Sequence, residues 1–159
     1  MEAENALTTT TGRNLQPTSS VGTEDFVTFE IEDQLFGIPV LKIQDILKPE
    51  KIASVPLAPP EIRGSINLRG RIVTVIDVRV RLGLKPGNAD ESMGVTVEHH
   101  HDLYTLLVDK IGDVISLASS AFDKAPDTLD PKWRQFAVSV VRLEKRLMVV
   151  LDVERMLEI

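Results

Sequence analysis

The stretch that decides the fold is Glu61–Leu84, which reads EIRGSINLRGRIVTVIDVRVRLGL. β-Branched and apolar residues dominate Ile62–Leu68 and Arg71–Asp77, and Arg69-Gly70 between them is a turn former, so the stretch predicts a β-hairpin. The second strand leaves little polar surface, which indicates that it is buried. Val78–Leu82 then predicts a short helical turn.

The same pattern of short strands and turns continues on both sides of this hairpin. One segment differs, because Val40, Ile43 and Leu47 stand at helical spacing and predict a helix over 40–47. A terminal helical turn is expected over 153–157. The further strands that the sequence predicts are 26–31, 35–39, a short one over 51–55, 93–97, 103–108, 111–117, 136–143 and 146–151.

The two halves of the chain repeat one another. When the chain is slid along itself, FGIPVLKIQDIL (36–47) falls on YTLLVDKIGDVI (104–115), with apolar, basic and acidic positions in agreement. We call this the first repeat match. A slightly larger shift gives the second repeat match, which places RIVTVIDV (71–78) on RLMVVLDV (146–153). Since both matches keep their order along the chain, the sequence predicts two small β-lobes of the same plan.

Composition excludes several classes of protein. The 159 residues are 43% apolar and 26% charged, which is typical of one globular domain. No apolar run approaches the ~20 residues of a membrane-spanning helix. The absence of cysteine excludes disulfides, thiolate metal sites and cysteine nucleophiles. A net charge of −6 argues against general nucleic-acid binding, which needs a surplus of Lys and Arg.

The domain organisation follows from these patterns. Residues 1–24 are small, polar and aperiodic, and predict a disordered N-terminal tail. Residues 25–159 predict an all-β domain of two lobes, with the seam in the turn-rich loop near 85–92. A lobe of about 65 residues has a thin core, so we expect two small antiparallel barrels that share an apolar seam. A groove between the lobes is then the expected binding site.

Four segments together resemble the CheW-like family, the coupling proteins of bacterial chemosensory arrays: LFGIPVLKIQDI (35–46), IRGSINLRGRIVTVIDVRVRL (62–82), LLVDKIGDVISL (106–117) and RLMVVLDVERML (146–157). The resemblance implies two SH3-like five-stranded barrels around a common core. It implies a non-enzymatic adaptor without cofactors, which is cytoplasmic and associates with the membrane through receptor arrays. The implied partners are the cytoplasmic hairpin tip of a chemoreceptor (a methyl-accepting chemotaxis protein) and the regulatory domain of the histidine kinase CheA.

The resemblance also assigns candidate receptor-binding residues. Ile43, Asp45 and Ile46 match family positions that contact the receptor tip, and apolar Ile43 and Ile46 suit a helical partner. Asp45 and Arg69 are expected to pair, which the resemblance supports. The alternatives are that both isoleucines fill the core and that the two charges are solvated independently. No residue is assigned to the kinase-binding surface.

The remaining polar residues have structural interpretations. Asn67 and Gly70 flank the hairpin tip, where Gly70 is expected to adopt a positive φ. Asp77 and Asp152 occupy matching repeat positions, and we expect them to cap the helical turns that follow. We therefore expect no catalytic residues. His99–His101 lies in a predicted solvated hairpin loop, and its spacing does not favour a metal site.

Other functions fit the sequence less directly. The chain could serve a pilus-type or other non-flagellar chemosensory pathway, because the same family pattern occurs there. It could be a double barrel that binds a small ligand between the lobes. A small hydrolase or transferase is a third alternative, but the sequence lacks a nucleophile elbow, a phosphate-binding glycine loop and a metal triad.

Overall fold

The computed structural model describes residues 22–159, and strands joined by short helical turns form most of it. Most of the predicted tail lies outside the described residues, and the first strand begins at Thr23. The strands are β1 (Thr23–Ile31), β2 (Gln34–Pro39), β3 (Ile43–Leu47), β4 (Ile62–Leu68), β5 (Arg71–Asp77), β6 (Met93–His99), β7 (Asp102–Val108), β8 (Lys110–Ala118), β9 (Phe122–Asp123), β10 (Ala137–Arg142) and β11 (Leu147–Leu151). The short α-helices are α1 (Val78–Arg81), α2 (Pro131–Arg134) and α3 (Val153–Met156).

The strands form two sheets, and the all-β prediction is confirmed. The first sheet, in the order β8-β1-β2-β11-β10-β9, has six strands, and the second, β3-β6-β7-β5-β4, has five. Neighbouring strands are antiparallel except for the pairs β2–β11 and β5–β7, which are parallel. The hairpin predicted from the deciding stretch is β4–β5, with Arg69-Gly70 at its turn.

The predicted helix over 40–47 is wrong. A 3-10 turn occupies Val40–Lys42, and Ile43–Leu47 is strand β3, paired with β6. Burial alternates along β3, as a strand with one covered face requires. The register slips between Ile43 and Asp45. Ile43 and Leu47 are four residues apart, so they share a face in a strand as they would in a helix, and Val40 lies in the turn before the strand.

The sheets do not divide the chain at 85–92. That loop follows α1 and leads into β6, and the strands on either side of it, β5 and β6, belong to the same sheet. The chain instead passes between the sheets at 40–42, and again between β7 and β8. Each half of the sequence therefore contributes strands to both sheets, because strand pairing rather than chain continuity decides which residues share a sheet.

Strand register confirms the first repeat match. In the first sheet Phe29 of β1 lies opposite Ile111 of β8, and in the second Val97 of β6 lies opposite Ile43 of β3. The same displacement along the chain relates Phe29 to Val97 and Ile43 to Ile111. A register slip interrupts both pairings at the corresponding place. The shift read from the sequence thus relates the two sheets strand by strand.

The second repeat match relates the remaining strands. Ser65 lies opposite Thr74 in the β4–β5 hairpin, and Val140 lies opposite Val149 in the β10–β11 hairpin. The parallel pairs correspond as well, since the second match relates β5 to β11 and the first match relates β2 to β7. The two halves of the chain are therefore structural repeats, and each half contributes equivalent strands to both sheets.

Both sheets are strongly curled. β8 ends at Ala118 and β9 begins at Phe122, yet the two strands lie at opposite edges of the first sheet. Four Cα steps span at most about 15 Å, whereas the edges of a flat six-stranded sheet are about 24 Å apart. In the second sheet the segment after β3 reaches the opposite edge, where Ala53 and Ser65 exchange two backbone hydrogen bonds of 2.8 Å.

Three clusters of buried side chains fill the molecule. The second sheet encloses one around Ile66, Val73, Val75 and Leu107, and the first encloses another, consisting of Phe26, Leu35, Val141, Met148 and Val150. The largest cluster draws on both sheets; its largest members include Phe29, Phe36, Ile76, Leu106, Phe136 and Met156. The shared core that the resemblance implied is thus present. Its side chains fill the seam between the two sheets, where the sequence predicted an apolar groove.

Candidate functional site

Strand β3 presents the three candidate residues that follow the crossover at 40–42. It is an edge strand of its sheet, since only β6 pairs with it along its length. Ile43 is half-buried against the shared core, and Asp45 is half-buried. Ile46 is 38% exposed, and its backbone N–H donates to the Asp45 carboxylate across 2.9 Å. Ile46 is therefore the apolar residue of this strand most available to a partner.

The structure brings Asp45 and Arg69 together. The Arg69 guanidinium donates to Oδ2 of Asp45 across 2.9 Å, which joins β3 to the β4–β5 turn. The Arg69 side chain is 75% exposed and that of Asp45 24%. At this exposure the pair contributes about 0–1 kcal/mol to stability, so its main effect is to hold two charges in a fixed position beside Ile46.

The β4–β5 turn is shaped by two further candidate residues. The Gly70 N–H donates to Oδ1 of Asn67 across 3.0 Å, and Gly70 has a φ of 83°. Arg69 itself has a φ of 53°, which is uncommon for a residue with a side chain. The turn therefore fixes the direction in which the Arg69 side chain leaves the backbone.

A second exposed apolar residue occupies the repeat position of Ile46. Val114 on β8 corresponds to Ile46 by the first repeat match, lies on the outer edge of the other sheet and is 61% exposed. No counterpart of the Arg69 ion pair accompanies it among the described residues, because the second match places a glutamate, Glu144, at the position of Arg69. The two edges of the molecule are thus alike in shape and different in charge.

The aspartates at matching repeat positions cap helices, as predicted. Asp77 accepts hydrogen bonds from the N–H groups of Arg79 and Val80, and Asp152 accepts one from the N–H of Arg155. Asp77 is 2% exposed and also accepts from the Arg63 guanidinium at 2.6 Å. Both carboxylates are thus held by backbone donors at helix ends, where they stabilise the turn.

An ionic cluster that sequence reasoning missed joins the two sheets. Arg79 of α1 contacts Glu32 in the β1–β2 turn at 2.9 Å and Asp109 at the β7–β8 crossover at 2.8 Å. Burial by itself lowers the pKa of Arg79, and the hydrogen bonds and charges of Glu32 and Asp109 outweigh it, so that the pKa lies above its ordinary value. The three residues are far apart in sequence, and no local pattern links them.

The histidine run lies at a tight turn beside a pocket. His99 ends β6, and His100 and His101 form the β6–β7 turn with φ values of 52° and 70°. The pocket has a volume of about 410 Å³. Its lining consists of Leu41, Lys42, Gln44, Glu98, His99, His100, His101, Val153 and Glu154. Within residues 22–159, no group of three or more His, Cys, Asp or Glu side chains is arranged to hold a metal ion.

Comparison with known proteins identifies the family. The model of the CheW-like domain matches residues 25–159, which is every residue from the third position of β1 to the end of the chain. The chain belongs to the CheW-like family.

Several CheW proteins are similar to the chain along its length. The probable chemotaxis protein CheW of Rhizobium etli is 27% identical over 134 residues, which cover 84% of this chain and 86% of that protein. The chemotaxis protein CheW of Helicobacter pylori is 29% identical, with 84% and 81% covered. The crystal structure of the scaffolding protein TtCheW from Thermoanaerobacter tengcongensis superimposes with a TM-score of 0.76 at 26% identity, covering 86% of this chain and 93% of that one.

These similarities support a scaffold or adaptor of chemotaxis rather than an enzyme. The CheW relatives are named for chemotaxis, and the solved structure is named as a scaffolding protein. The two curled sheets that share a core agree with the fold implied by the resemblance. In the part of the chain that the structure describes, no helix is long and apolar enough to cross a membrane.

Proposed function

We propose that the protein couples the cytoplasmic hairpin tips of chemoreceptors to the histidine kinase CheA in a chemosensory array. In this role it is a cytoplasmic adaptor that binds two partners and catalyses no reaction. The single observation that carries the proposal is the surface formed by Ile46 and the Asp45–Arg69 pair, here called the docking surface. Membership of the CheW-like family suggests which class of protein binds, and the docking surface is where we propose that the receptor binds.

The docking surface combines features that a helical hairpin can use. Ile46 offers an exposed apolar contact, and burying an isoleucine side chain contributes about 1.5–3 kcal/mol. The Asp45–Arg69 pair places a carboxylate and a guanidinium at one edge of that contact. Charges at the rim of an interface mainly determine orientation and register, so the pair would align the receptor tip on the apolar contact.

Ile43 has a smaller part in this proposal. It packs against the shared core and is half-buried, so its side chain is shared between the interior and the surface. We infer that Ile43 supports the position of β3 and contacts the receptor only at its edge. Substituting it would therefore lower stability as well as binding, whereas Ile46 can be changed with little effect on the core.

In the proposed role, the protein transfers a signal by holding its partners in position rather than by a chemical reaction. A change in the receptor alters the kinase only if the adaptor binds the two receptor states unequally or holds the kinase where it senses them. Because the shared core and the Arg79 cluster tie the two sheets together, the adaptor is suited to act as one rigid unit between its partners. Its second partner would then dock away from the docking surface.

Co-sedimentation tests the proposed coupling. The full chain is mixed with a chemoreceptor cytoplasmic fragment, with the kinase, and with both. The proposal predicts that the chain pellets with assembled receptor fragment and that the kinase joins the pellet only when the chain is present. Pelleting of the kinase with receptor alone, to the same extent as with the chain, would contradict a coupling role.

A further inference from the structure

The pocket beside the histidine turn lies at one junction between the two sheets, and the internal repeat gives it a counterpart at a second junction. Its walls are the crossover residues before β3, the β6–β7 turn and the start of α3. By the two repeat matches, these correspond to the crossover before β8, the β1–β2 turn and the start of α1. Those three segments are the ones that the Arg79 cluster joins.

In that counterpart the space is filled from within the chain. The guanidinium of Arg79 donates to Glu32, to Asp109 and to the backbone carbonyl of Lys85 at 2.8–2.9 Å. Only 16% of the Arg79 side chain is exposed. The fold thus forms, at this junction between its sheets, a place that accommodates one arginine side chain.

At the histidine pocket, different residues stand in the positions of the Arg79 cluster. Glu154 stands at the position of Arg79, His100 at that of Glu32, and Leu41 at that of Asp109. Glutamate is shorter than arginine, and it carries no positive charge that could pair with nearby carboxylates. The junction therefore remains open to solvent, with Leu41 at its margin 91% exposed.

The walls of the pocket suit a guanidinium. Glu98 and Glu154 supply carboxylates, and Lys42 is the only lysine or arginine in the lining, so these three residues give it a formal charge of −1. The His99 and His100 rings line the pocket with their centroids 4.0 Å apart, and planar aromatic rings are groups on which a guanidinium can stack. Carboxylates bind arginine in a bidentate manner that lysine cannot reproduce.

We propose that this pocket receives an arginine side chain from a partner protein, in the place that Arg79 occupies at the other junction between the sheets. A protein rather than a free small molecule is the expected source, because the pocket is open and bordered by an exposed leucine. Sites for small molecules bury most of their ligand's surface. The proposal rests on the repeat and the pocket, and is independent of the docking surface.

Chemical-shift titration of the full chain tests the proposal. The probe is Nα-acetyl-arginine methylamide, which presents the side chain as a protein would; the matched control is the citrulline derivative, equal in size and uncharged. We expect saturable shifts of the 99–101 backbone amides with the arginine probe, and binding weaker by about fivefold with citrulline, which is the upper end of what one exposed ion pair contributes. Free arginine should bind no more tightly than the blocked derivative.

Variants locate the interaction. Glu98→Gln with Glu154→Gln should weaken arginine binding about fivefold or more, whereas Glu144→Gln, in the β10–β11 turn of the first sheet, should leave it unchanged. Both glutamates of the pocket are exposed, so neither change threatens folding. Equal shifts with arginine and citrulline, unaltered binding by the double variant, or preference for free arginine would each overturn the proposal.

Discussion

Replacing Arg79 by methionine tests how the two sheets are held together. Methionine keeps an unbranched apolar stem and removes the guanidinium, so the change isolates the polar contacts. Three contacts are lost, to Glu32, to Asp109 and to the Lys85 carbonyl. Glu32 and Asp109 are then left as neighbouring carboxylates without their cation, since the Glu32 N–H already donates to the Asp109 side chain.

The expected loss of stability follows from exposure. Breaking a fully buried ion pair costs about 3–5 kcal/mol, and an exposed pair is worth about 0–1 kcal/mol. The Arg79 side chain is 16% exposed, Asp109 26% and Glu32 51%, so the cluster lies between these limits. We expect Arg79→Met to lower the free energy of unfolding by about 2 kcal/mol, or the midpoint temperature by about 4–8 °C.

Urea unfolding followed by tryptophan fluorescence measures this loss. Trp133 is the chain's one tryptophan, and its ring centroid lies 5.8 Å from that of Phe36 in the shared core. Its emission should therefore report loss of the contact between the sheets. The slope of the transition should stay unchanged, so that the shift in midpoint measures stability alone.

Two further variants check the reasoning. Glu154→Met changes the exposed repeat equivalent of Arg79 and should cost under about 0.5 kcal/mol. Adding Glu32→Gln and Asp109→Asn to Arg79→Met should recover part of the loss, because it removes the uncompensated charges. A loss below about 0.5 kcal/mol for Arg79→Met would refute the view that this cluster secures the two sheets.

Two other comparisons use pairs in the structure. Reversing the charge of Asp45 or of Arg69 should weaken binding of a receptor fragment while changing stability by less than about 1 kcal/mol, and reversing both should restore part of the binding; strictly additive losses would exclude a coupled pair. Asp77→Ala should cost about 3 kcal/mol in urea unfolding, because it removes a helix cap and leaves the Arg63 guanidinium without its carboxylate partner. Asp152→Ala should cost about 1 kcal/mol for a lost cap, and equal losses would contradict this assignment.

Local residue patterns were sufficient to predict most of the strands. Alternating or continuous β-branched residues bounded by turn formers predicted the β4–β5 and β10–β11 hairpins, and the repeat predicted which strands correspond. The pattern failed at Ile43–Leu47, because apolar residues four positions apart share a face in a strand as well as in a helix. The choice between the two depends on pairing with β6, which follows only after the whole β4–β5 hairpin and α1.

The exchange of strands between the sheets also depends on distant pairing. Nothing local to 85–92 distinguishes a loop within one sheet from a loop between two lobes. The proximity of Asp45 and Arg69 could be predicted, because it follows from the family pattern around the β4–β5 turn. The Arg79 cluster and the histidine pocket could not, because they differ in the two halves and are recognised only when the folded repeat positions are compared.

The most direct test of the central claim compares Ile46 with its repeat equivalent Val114. Both are exposed on edge strands, so Ile46→Glu and Val114→Glu are matched changes on the two sheets. With a chemoreceptor cytoplasmic fragment titrated by calorimetry, Ile46→Glu should raise the Kd about fivefold or more, equivalent to over about 1 kcal/mol, with the unfolding midpoint nearly unchanged. Val114→Glu should leave this Kd unchanged. Unaltered receptor binding by a folded Ile46→Glu variant would contradict the docking surface.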